Sequence, residues 1–479
     1  MKRIGILIVA YNAASTLASV LDRIQPDFME RVSEILVCDD HSKDATYLVG
    51  LGYKQLMPDM PLTVIRQPRN FGYGGNQKSG YQWAIDHDLD IVVLLHGDGQ
   101  YAPEVLDQIV APLESGECDA VFGSRMLDQG SARRGGMPLY KYVGNRILTT
   151  AQNALAGTSL SEWHSGYRAY SVQALSEIPF QSNSDGFVFD TEIITQLVES
   201  GKRIVEVPIP TYYGDEICYV NGLGYARDVM RHVVRYRMHK MGFGTGDAAL
   251  ATDDQYELKH DEETSHGVIR EWLGSYHDLD ILDVGCAEGV VSLQLVEQGN
   301  RVTGVDREEW PSVAGKLDRF VVADLDKGLP EEIRGRYDVV LAADVLEHLR
   351  EPGDLLAELA RHLAPNGWIL ASIPNAVHWY PRLRMLSGRF DYDRRGILDH
   401  GHLRFFTRRS FERLARTAGL RVTRCQAVGL PVEILNRGGG DSDVSQKAPL
   451  RVLAFLDRVT TRMWPNLFAY QYVIRLDKA

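Results

Sequence analysis

The run VVLLHGDGQYAPE, residues 92–104, closes a buried-looking stretch with His96, Asp98 and Gln100 at alternate positions, separated by glycines. On an extended backbone, alternate side chains share one face. An imidazole, a carboxylate and an amide so arranged are expected to hold a divalent cation against a diphosphate, offsetting the charge of a nucleoside diphosphate as it leaves a sugar. Asp39 and Asp40, in LVCDDHSKDAT, end another apolar run. There they can accept hydrogen bonds from a nucleotide base and ribose, or cap the next helix. RNFGYGGNQKSG, residues 69–80, adds Arg69, Asn70 and the close-set glycines Gly72, Gly74 and Gly75, which permit close backbone approach to a ligand.

A second set of chemical residues lies far along the chain. ILDVGCAEGVVSLQLVEQGNRVTGVD, residues 281–306, reads as strand, glycine turn, helix and second strand ending in Asp306. An acid at that point is placed to bind two ribose hydroxyls. His348, His400 and His402 are candidate bases for an oxygen nucleophile. A metal held by the histidine pair with Asp399 nearby is the less favoured reading.

Positioning these residues requires two sheets. Short β-rich runs alternate with helical patterns in both halves: RIGILIVAY, SEILVCDD, LTVIRQ, DIVVLLHGD, CDAVFGSR and KRIVEVPI in the first, then LDILDVGC, RVTGVDRE, DRFVVADL, YDVVLAADV, GWILASIP and LRVTRCQAV. Such alternation implies α/β domains with mainly parallel sheets and ligands at the carboxyl ends of the strands. With 479 residues the chain is too long for one ordinary core. The expected division is a first domain over 1–241, a glycine-rich linker over 242–255 (GFGTGDAALATDDQ), a second domain over 256–435 and a tail over 436–479 packing on the second domain. The tail reads as a helix followed by an edge strand or docking segment. A net charge of −12 argues against bulk attraction to nucleic acid. Five scattered cysteines without a C-x-x-C pair fit reduced thiols, and the apolar start reads as a buried first strand rather than a secretory signal. No run of about 18 apolar residues suggests a membrane span.

Six stretches in order, VAYNAASTL, VCDDHSKDAT, HGDGQYAPE, VFGSRM, HSGYRAY and DGFVFDTEI…RIVEVPIP, make residues 4 to about 215 resemble the family-two glycosyltransferases, in the branch of polyprenyl-phosphate (dolichol-phosphate) mannosyl- and glucosyltransferases. The resemblance implies a GT-A fold, a nucleotide-diphosphate sugar donor, Mg²⁺ or Mn²⁺, and inversion at the anomeric carbon. It implies a donor site of Tyr11, Asp39, Asp40, Asn70, Gly72, His96 and Asp98, with Asp98 and Gln100 on the metal. His96 stands where many relatives have the first aspartate of D-x-D, so it is a softer metal ligand or a direct diphosphate contact. Arg125, Lys141, Asn145 and Arg168 are the implied acceptor residues, with Asp98 and Arg125 counted as catalytic. An acceptor phosphate is already ionised and needs positioning more than a base. A sugar hydroxyl would need one, for which Glu192, Asp215 and Glu216 are candidates.

Residues 260 to about 430 resemble class I S-adenosylmethionine-dependent methyltransferases, through D-x-G-x-A-x-G at 283–289, VVADLDKGLP, YDVVLAADVLEHL and LDHGHLRFFTRRSFERLARTAGLRV. The implied roles place Asp283, Gly285, Ala287 and Gly289 around the methionine moiety, Asp306 on the ribose and Asp324 near the adenine amine. His400 and His402, in the loop-like cluster DHGHLRFF, are the pair expected to be catalytic. Ala287 replaces the usual glycine and is expected to tighten the pocket.

The reading is therefore a GT-A glycosyltransferase domain followed by a Rossmann-like class I methyltransferase domain. Its expected function is sugar transfer from a nucleotide-diphosphate sugar to a polyprenyl phosphate or saccharide acceptor, and O-methylation of a glycan or related intermediate. A scaffold with one degenerate domain is the alternative. GYARDVMRHVVRYRMHK, residues 224–240, reads as an ordinary helix with a charged outer face, or as a surface for anionic lipid. The expected location is the cytoplasm, with peripheral contact at the inner face of the membrane, and no nucleic-acid partner.

Overall fold

A computed structural model describes residues 2–128, 130–210, 222–240, 264–313, 315–393, 396–430 and 448–479. The linker expected over 242–255, and the base candidates Asp215 and Glu216, lie outside the described residues. The chain separates into two compact units, one built on Met1–Arg237 and one carrying Asp253–Arg437 and Asp441–Ala479.

In the first unit the strands are β1 (Ile4–Ala10), β2 (Val32–Asp39), β3 (Leu62–Arg66), β4 (Ile91–His96), β5 (Ala120–Ser124), β6 (Arg168–Ser171) and β7 (Ile204–Pro208). They form one sheet in the order β3-β2-β1-β4-β6-β5-β7. All neighbours are parallel except β6, which is antiparallel to β4 and β5. The strands are apolar almost without a break because both faces are covered. Ile6, Ile8, Val93 and Leu95 enter one core, and Leu7, Leu36, Val92 and Leu94 enter the other with Tyr81 and Phe189.

The second unit repeats the plan with β8 (Asp280–Val284), β9 (Arg301–Asp306), β10 (Arg319–Val322), β11 (Tyr337–Ala343), β12 (Leu363–Pro374), β13 (Leu420–Val428) and β14 (Gln471–Lys478). Their order is β10-β9-β8-β11-β12-β14-β13. The C-terminal strand β14 is not at an edge. It runs antiparallel between β12 and β13, with Val473, Ile474 and Leu476 fully buried, so its apolar alternation is satisfied on two faces.

In each sheet the first strand lies between the second and fourth, so the strand order reverses direction between β1 and β4, and again between β8 and β11. A crevice opens outside the carboxyl ends at such a reversal. Among the described residues no helix is long and apolar enough to cross a membrane.

Candidate active sites

At the first reversal, Tyr11 follows β1 and is 39% exposed, while Asp39 and Asp40 end β2 and are buried. Asp40 accepts hydrogen bonds from the amides of Phe71 (2.7 Å) and Gly72 (3.0 Å), and its own carbonyl accepts from the Asn70 side chain (3.2 Å). Burial raises the pKa of Asp40, and those two amides pull against it. Asp39 receives the Ser42 amide at 3.3 Å and faces Arg66 at 3.4 Å. Both acids thus brace the loops around the crevice, a task the sequence does not separate from ligand binding.

The glycines of residues 72–75 serve the chain more than a ligand. Gly72 has φ +82° and opens the helix Gly72–Asp86, and a Cβ on it would stand 2.7 Å from the Asp185 carbonyl oxygen. A Cβ on Gly74 would lie 2.5 Å from the Ser184 carbonyl oxygen, and the Gly74 amide donates to the Asp185 carbonyl at 2.8 Å. The close approach is therefore to the backbone of residues 184–185.

The alternation expected over residues 96–100 is not found. β4 ends at His96, residues 97–98 turn, and Gly99 has φ +80°, with its amide donating to the His96 carbonyl at 3.3 Å. The turn sends Asp98 to the surface, where one carboxylate oxygen accepts the Gln100 amide at 3.0 Å. His96 stays half-buried, edge-on to Tyr73 and Tyr101, with Nε2 3.5 Å from the Tyr73 hydroxyl. That hydroxyl donates to Asp190 Oδ2 at 2.8 Å. Burial depresses the His96 pKa, and Asp98 and Asp190 only partly oppose this. His96 is thus a neutral ring fixed by Tyr73, while Asp98 is the exposed acid of the strand end.

Three assigned acceptor residues have other partners. Arg168 is 1% exposed and donates to the carbonyls of Ser165 (2.9 Å), Asp190 (2.8 Å) and Trp163 (2.9 Å), with the Asp190 carboxylate at 3.8 Å. It lies beneath the crevice and not in it, because a guanidinium engaged by three carbonyls and an acid has no cause to face solvent. Arg125, at the end of β5, pairs with the buried Glu162 and also donates to the His164 carbonyl at 3.2 Å. Asn145, on the helix Leu139–Ala156 with Lys141, donates to the same Glu162 at 2.8 Å. Burial would raise the Glu162 pKa, but Arg125 overrides it and keeps the acid ionised. Glu162, Tyr73 and Asp190 were given no role by sequence reasoning, although Tyr73 and Asp190 lie in stretches singled out there. Glu192 accepts the Ser184 amide and hydroxyl, at 2.7 and 2.8 Å, so it caps a turn.

At the second reversal, Asp283 near the end of β8 is buried and accepts the Ser292 hydroxyl at 2.6 Å. Burial pushes its pKa up to about 7, with Ser292 opposing and Asp306 adding to the rise. Gly285 and Gly289 have φ of +73° and +74°, and Ala287 between them is also left-handed at +45°. Asp306, ending β9, accepts the Ala287 amide at 2.8 Å on one oxygen and the Glu308 amide at 3.2 Å on the other. The Trp310 indole N–H also points at Asp306, at 3.4 Å, and since a carboxylate has about four acceptor directions, Asp306 can brace the glycine turn and still receive a hydroxyl. Asp324 follows β10, accepts the Asp326 amide at 3.2 Å and faces Lys327 at 3.6 Å.

The histidines divide sharply. His400 is strongly exposed beside Asp399 at 3.5 Å. His402 is buried, with Nδ1 3.1 Å from the Ile397 carbonyl and Nε2 4.0 Å from Glu347. His348 is exposed, with Nδ1 3.0 Å from the Gly401 carbonyl. Sequence reasoning grouped His400 with His402, but the fold pairs His402 with His348.

Comparison with known proteins finds one family match in each half of the chain. Residues 5–178 match the family model "Glycosyl transferase family 2", and residues 257–424 match the model "Methyltransferase domain". The chain is 28% identical over 222 residues to a UDP-N-acetylglucosamine–dolichyl-phosphate N-acetylglucosaminyltransferase of Methanococcus voltae, covering 44% of this chain and 86% of that protein. It is 27% identical over 209 residues to the polyprenol monophosphomannose synthase of Mycolicibacterium smegmatis, covering 43% of this chain and 77% of that one. In the second half it is 27% identical over 176 residues to a ubiquinone biosynthesis O-methyltransferase of Nitrosospira multiformis, covering 35% and 73%. The α/β class expected for both halves is the class found, and the chain carries a family 2 glycosyl transferase domain followed by a methyltransferase domain.

Proposed function

We propose that the first unit transfers a sugar, with inversion, from a nucleoside-diphosphate sugar to a polyprenyl phosphate, and that the second methylates an oxygen of the resulting glycan or a related intermediate, with S-adenosylmethionine as donor. The observation that carries the reading is the exposed Asp98 carboxylate at the end of β4, beside the crevice of a family 2 domain. The relatives named for polyprenol and dolichyl phosphate support the acceptor class. The donor set fits a divalent cation: Asp98 is an exposed carboxylate with the Gln100 side chain two residues on, and a bound Mg²⁺ or Mn²⁺ would supply charge to the departing diphosphate. Tyr11, Asp39 and Asp40 would line the nucleoside, and Tyr73 would hold His96 in one orientation. Arg125, fixed by Glu162, would meet the acceptor phosphate from the end of β5.

A lipid-linked acceptor has further support on the surface. Leu139, Val143 and Ile147, at four-residue steps, are exposed on the helix Leu139–Ala156, together with Tyr140 and Arg146. An apolar stripe flanked by cations suits peripheral contact with a membrane. On the helix Gly222–Lys240, Val229, Val233 and Tyr236 are buried and Arg227, Arg231 and Arg235 exposed, which adds a basic outer face.

In the second unit, Gly285 and Gly289 shape the turn, Asp306 would take the ribose hydroxyls and Asp324 would lie by the adenine. S-adenosylmethionine would supply an activated methyl on sulfur. The residues' own task is to align it with an acceptor oxygen and exclude water.

The test is sugar transfer from labelled UDP- and GDP-sugars to polyprenyl phosphate in detergent, with Mn²⁺. Asp98→Ala should lower transfer at least about 100-fold, a loss of the size expected when transition-state charge goes uncompensated, with S-adenosylmethionine binding unchanged. Arg125→Ala should lower transfer to the lipid far more than hydrolysis of the donor. Unchanged transfer by Asp98→Ala, or equal losses for Arg125→Ala, would count against the assignment.

A further inference from the structure

Three side chains of the second unit converge without the methyl-transfer reading having used them together. Glu347 and His348 follow β11, and His402 comes from the loop 54 positions later. One ligand-capable atom from each lies within 4.8 Å of the others. The backbone draws the two segments together, since the Glu347 carbonyl accepts the amides of Leu403 (2.8 Å) and Arg404 (2.9 Å).

The orientation of the rings is the informative feature. A carbonyl oxygen carries no proton, so His348 Nδ1 must donate to Gly401 at 3.0 Å and His402 Nδ1 must donate to Ile397 at 3.1 Å. A neutral ring that donates from Nδ1 has its lone pair on Nε2. His402 Nε2 faces Glu347 Oε1 at 4.0 Å, and the Glu347 side chain is 1% exposed. His402 Nε2 and Glu347 Oε1 thus face one another in a buried place, two atoms of the kind that bind a divalent cation. Metal-binding histidines characteristically donate their other nitrogen to a carbonyl or carboxylate, which fixes the tautomer.

We propose that Glu347, His348 and His402 form a site for a divalent transition-metal ion such as Mn²⁺ or Zn²⁺, next to the methyl-donor pocket. Two imidazoles and one carboxylate on one side of an ion leave positions open for a substrate oxygen. Tetrahedral ligands at about 2.1 Å from an ion stand about 3.4 Å apart, so the three groups draw in by about an ångström on binding. The placement ties the ion to chemistry: Val345, two residues before Glu347, packs on the glycine turn, where a Cβ on Gly285 would lie 2.7 Å from Val345 Cγ2. An acceptor hydroxyl held by the ion loses its proton to water more readily. Its oxygen pair then forms the bond to the methyl carbon, and the pair of the breaking carbon–sulfur bond stays on sulfur, leaving the thioether. This last step rests on the methyl-transfer reading; the ion site does not.

The experiment uses the untagged full chain carrying Asp98→Ala, to remove the expected cation site of the first unit, stripped with chelator and titrated with Mn²⁺ by electron paramagnetic resonance and with Zn²⁺ by calorimetry. One equivalent should bind per chain. Adding His402→Ala should weaken binding at least about 100-fold, and adding His348→Ala, whose ring is exposed and whose loss spares the core, at least about 10-fold. No binding by the Asp98→Ala chain, or unchanged affinity in both double variants, would overturn the site. S-adenosylmethionine affinity measured on the same proteins separates the two ideas: an ion bound by a chain with no affinity for that donor would sink the methyl-transfer reading alone.

Discussion

Each unit buries an ionisable group in its sheet, Arg168 at the start of β6 and Asp283 near the end of β8, and the two are treated in opposite ways. Under the first crevice Arg168 is kept charged. Burial works against its charge, but Asp190, with Tyr170 and Tyr73, outweighs the burial and holds its pKa above the ordinary range. Under the second, Asp283 has a serine hydroxyl on it and another acid, Asp306, near it, so burial wins and its pKa rises to about 7. The lesson is that burial alone does not decide charge. The number of opposing partners does.

The largest effect should come from removing the partnered charge. Arg168→Ala leaves Asp190 buried and uncompensated, at a cost of about 3 to 5 kcal/mol. Amide exchange in β4 and β6 should accelerate by at least about 100-fold, with β8 and β11 unaffected. Equal acceleration in both sheets would show that the units do not unfold separately.

Asp283 should respond to pH in the reverse sense of an ion-paired acid. Its folded pKa is raised from 3.8 to about 7, so the folded state binds the extra proton. Its contribution is fully present below 3.8 and is lost as pH rises through about 7, a total of about 4 kcal/mol. The second unit's calorimetric transition should therefore fall between about pH 4 and 7 in the ligand-free chain, and Asp283→Asn should flatten that fall. A transition that rises over this range would show the acid to be ionised.

The smallest effect compares left-handed positions. Gly72 has no side chain where φ is +82°, whereas Ala287 carries one at +45°. Ala287→Gly should relieve strain and gain up to about 1 kcal/mol in the second unit, after allowance for the greater freedom of glycine in the unfolded chain. Gly72→Ala should cost at least about 1 kcal/mol in the first. A loss of stability on Ala287→Gly would mean that its methyl packs usefully.

Much of this was legible without coordinates. Six strands in each half announced themselves as apolar runs, because a strand buried on both faces needs little polar alternation. The acids Asp39, Asp40 and Asp306 were placed at strand ends because those runs stop at them. The turn at Gly97–Asp98 was not legible: alternating residues look the same whether the chain stays extended or bends, and Gly99 permits the bend. Nor did HSGYRAY reveal that Arg168 begins a strand and points inward, since a cationic side chain in a short motif resembles a ligand contact until its carbonyl partners are known.

The sequence by itself determined two α/β units, their order and the acids at the strand ends, because hydrophobic runs and glycine turns are local and survive without neighbours. Only the tertiary structure decided where the antiparallel strands β6 and β14 insert, that Arg125 and Asn145 meet on Glu162, and that His348 joins His402 and Glu347. Those outcomes depend on pairings between distant segments, and the energy that selects them, burial of polar groups with all partners in place, exists only once the segments have come together.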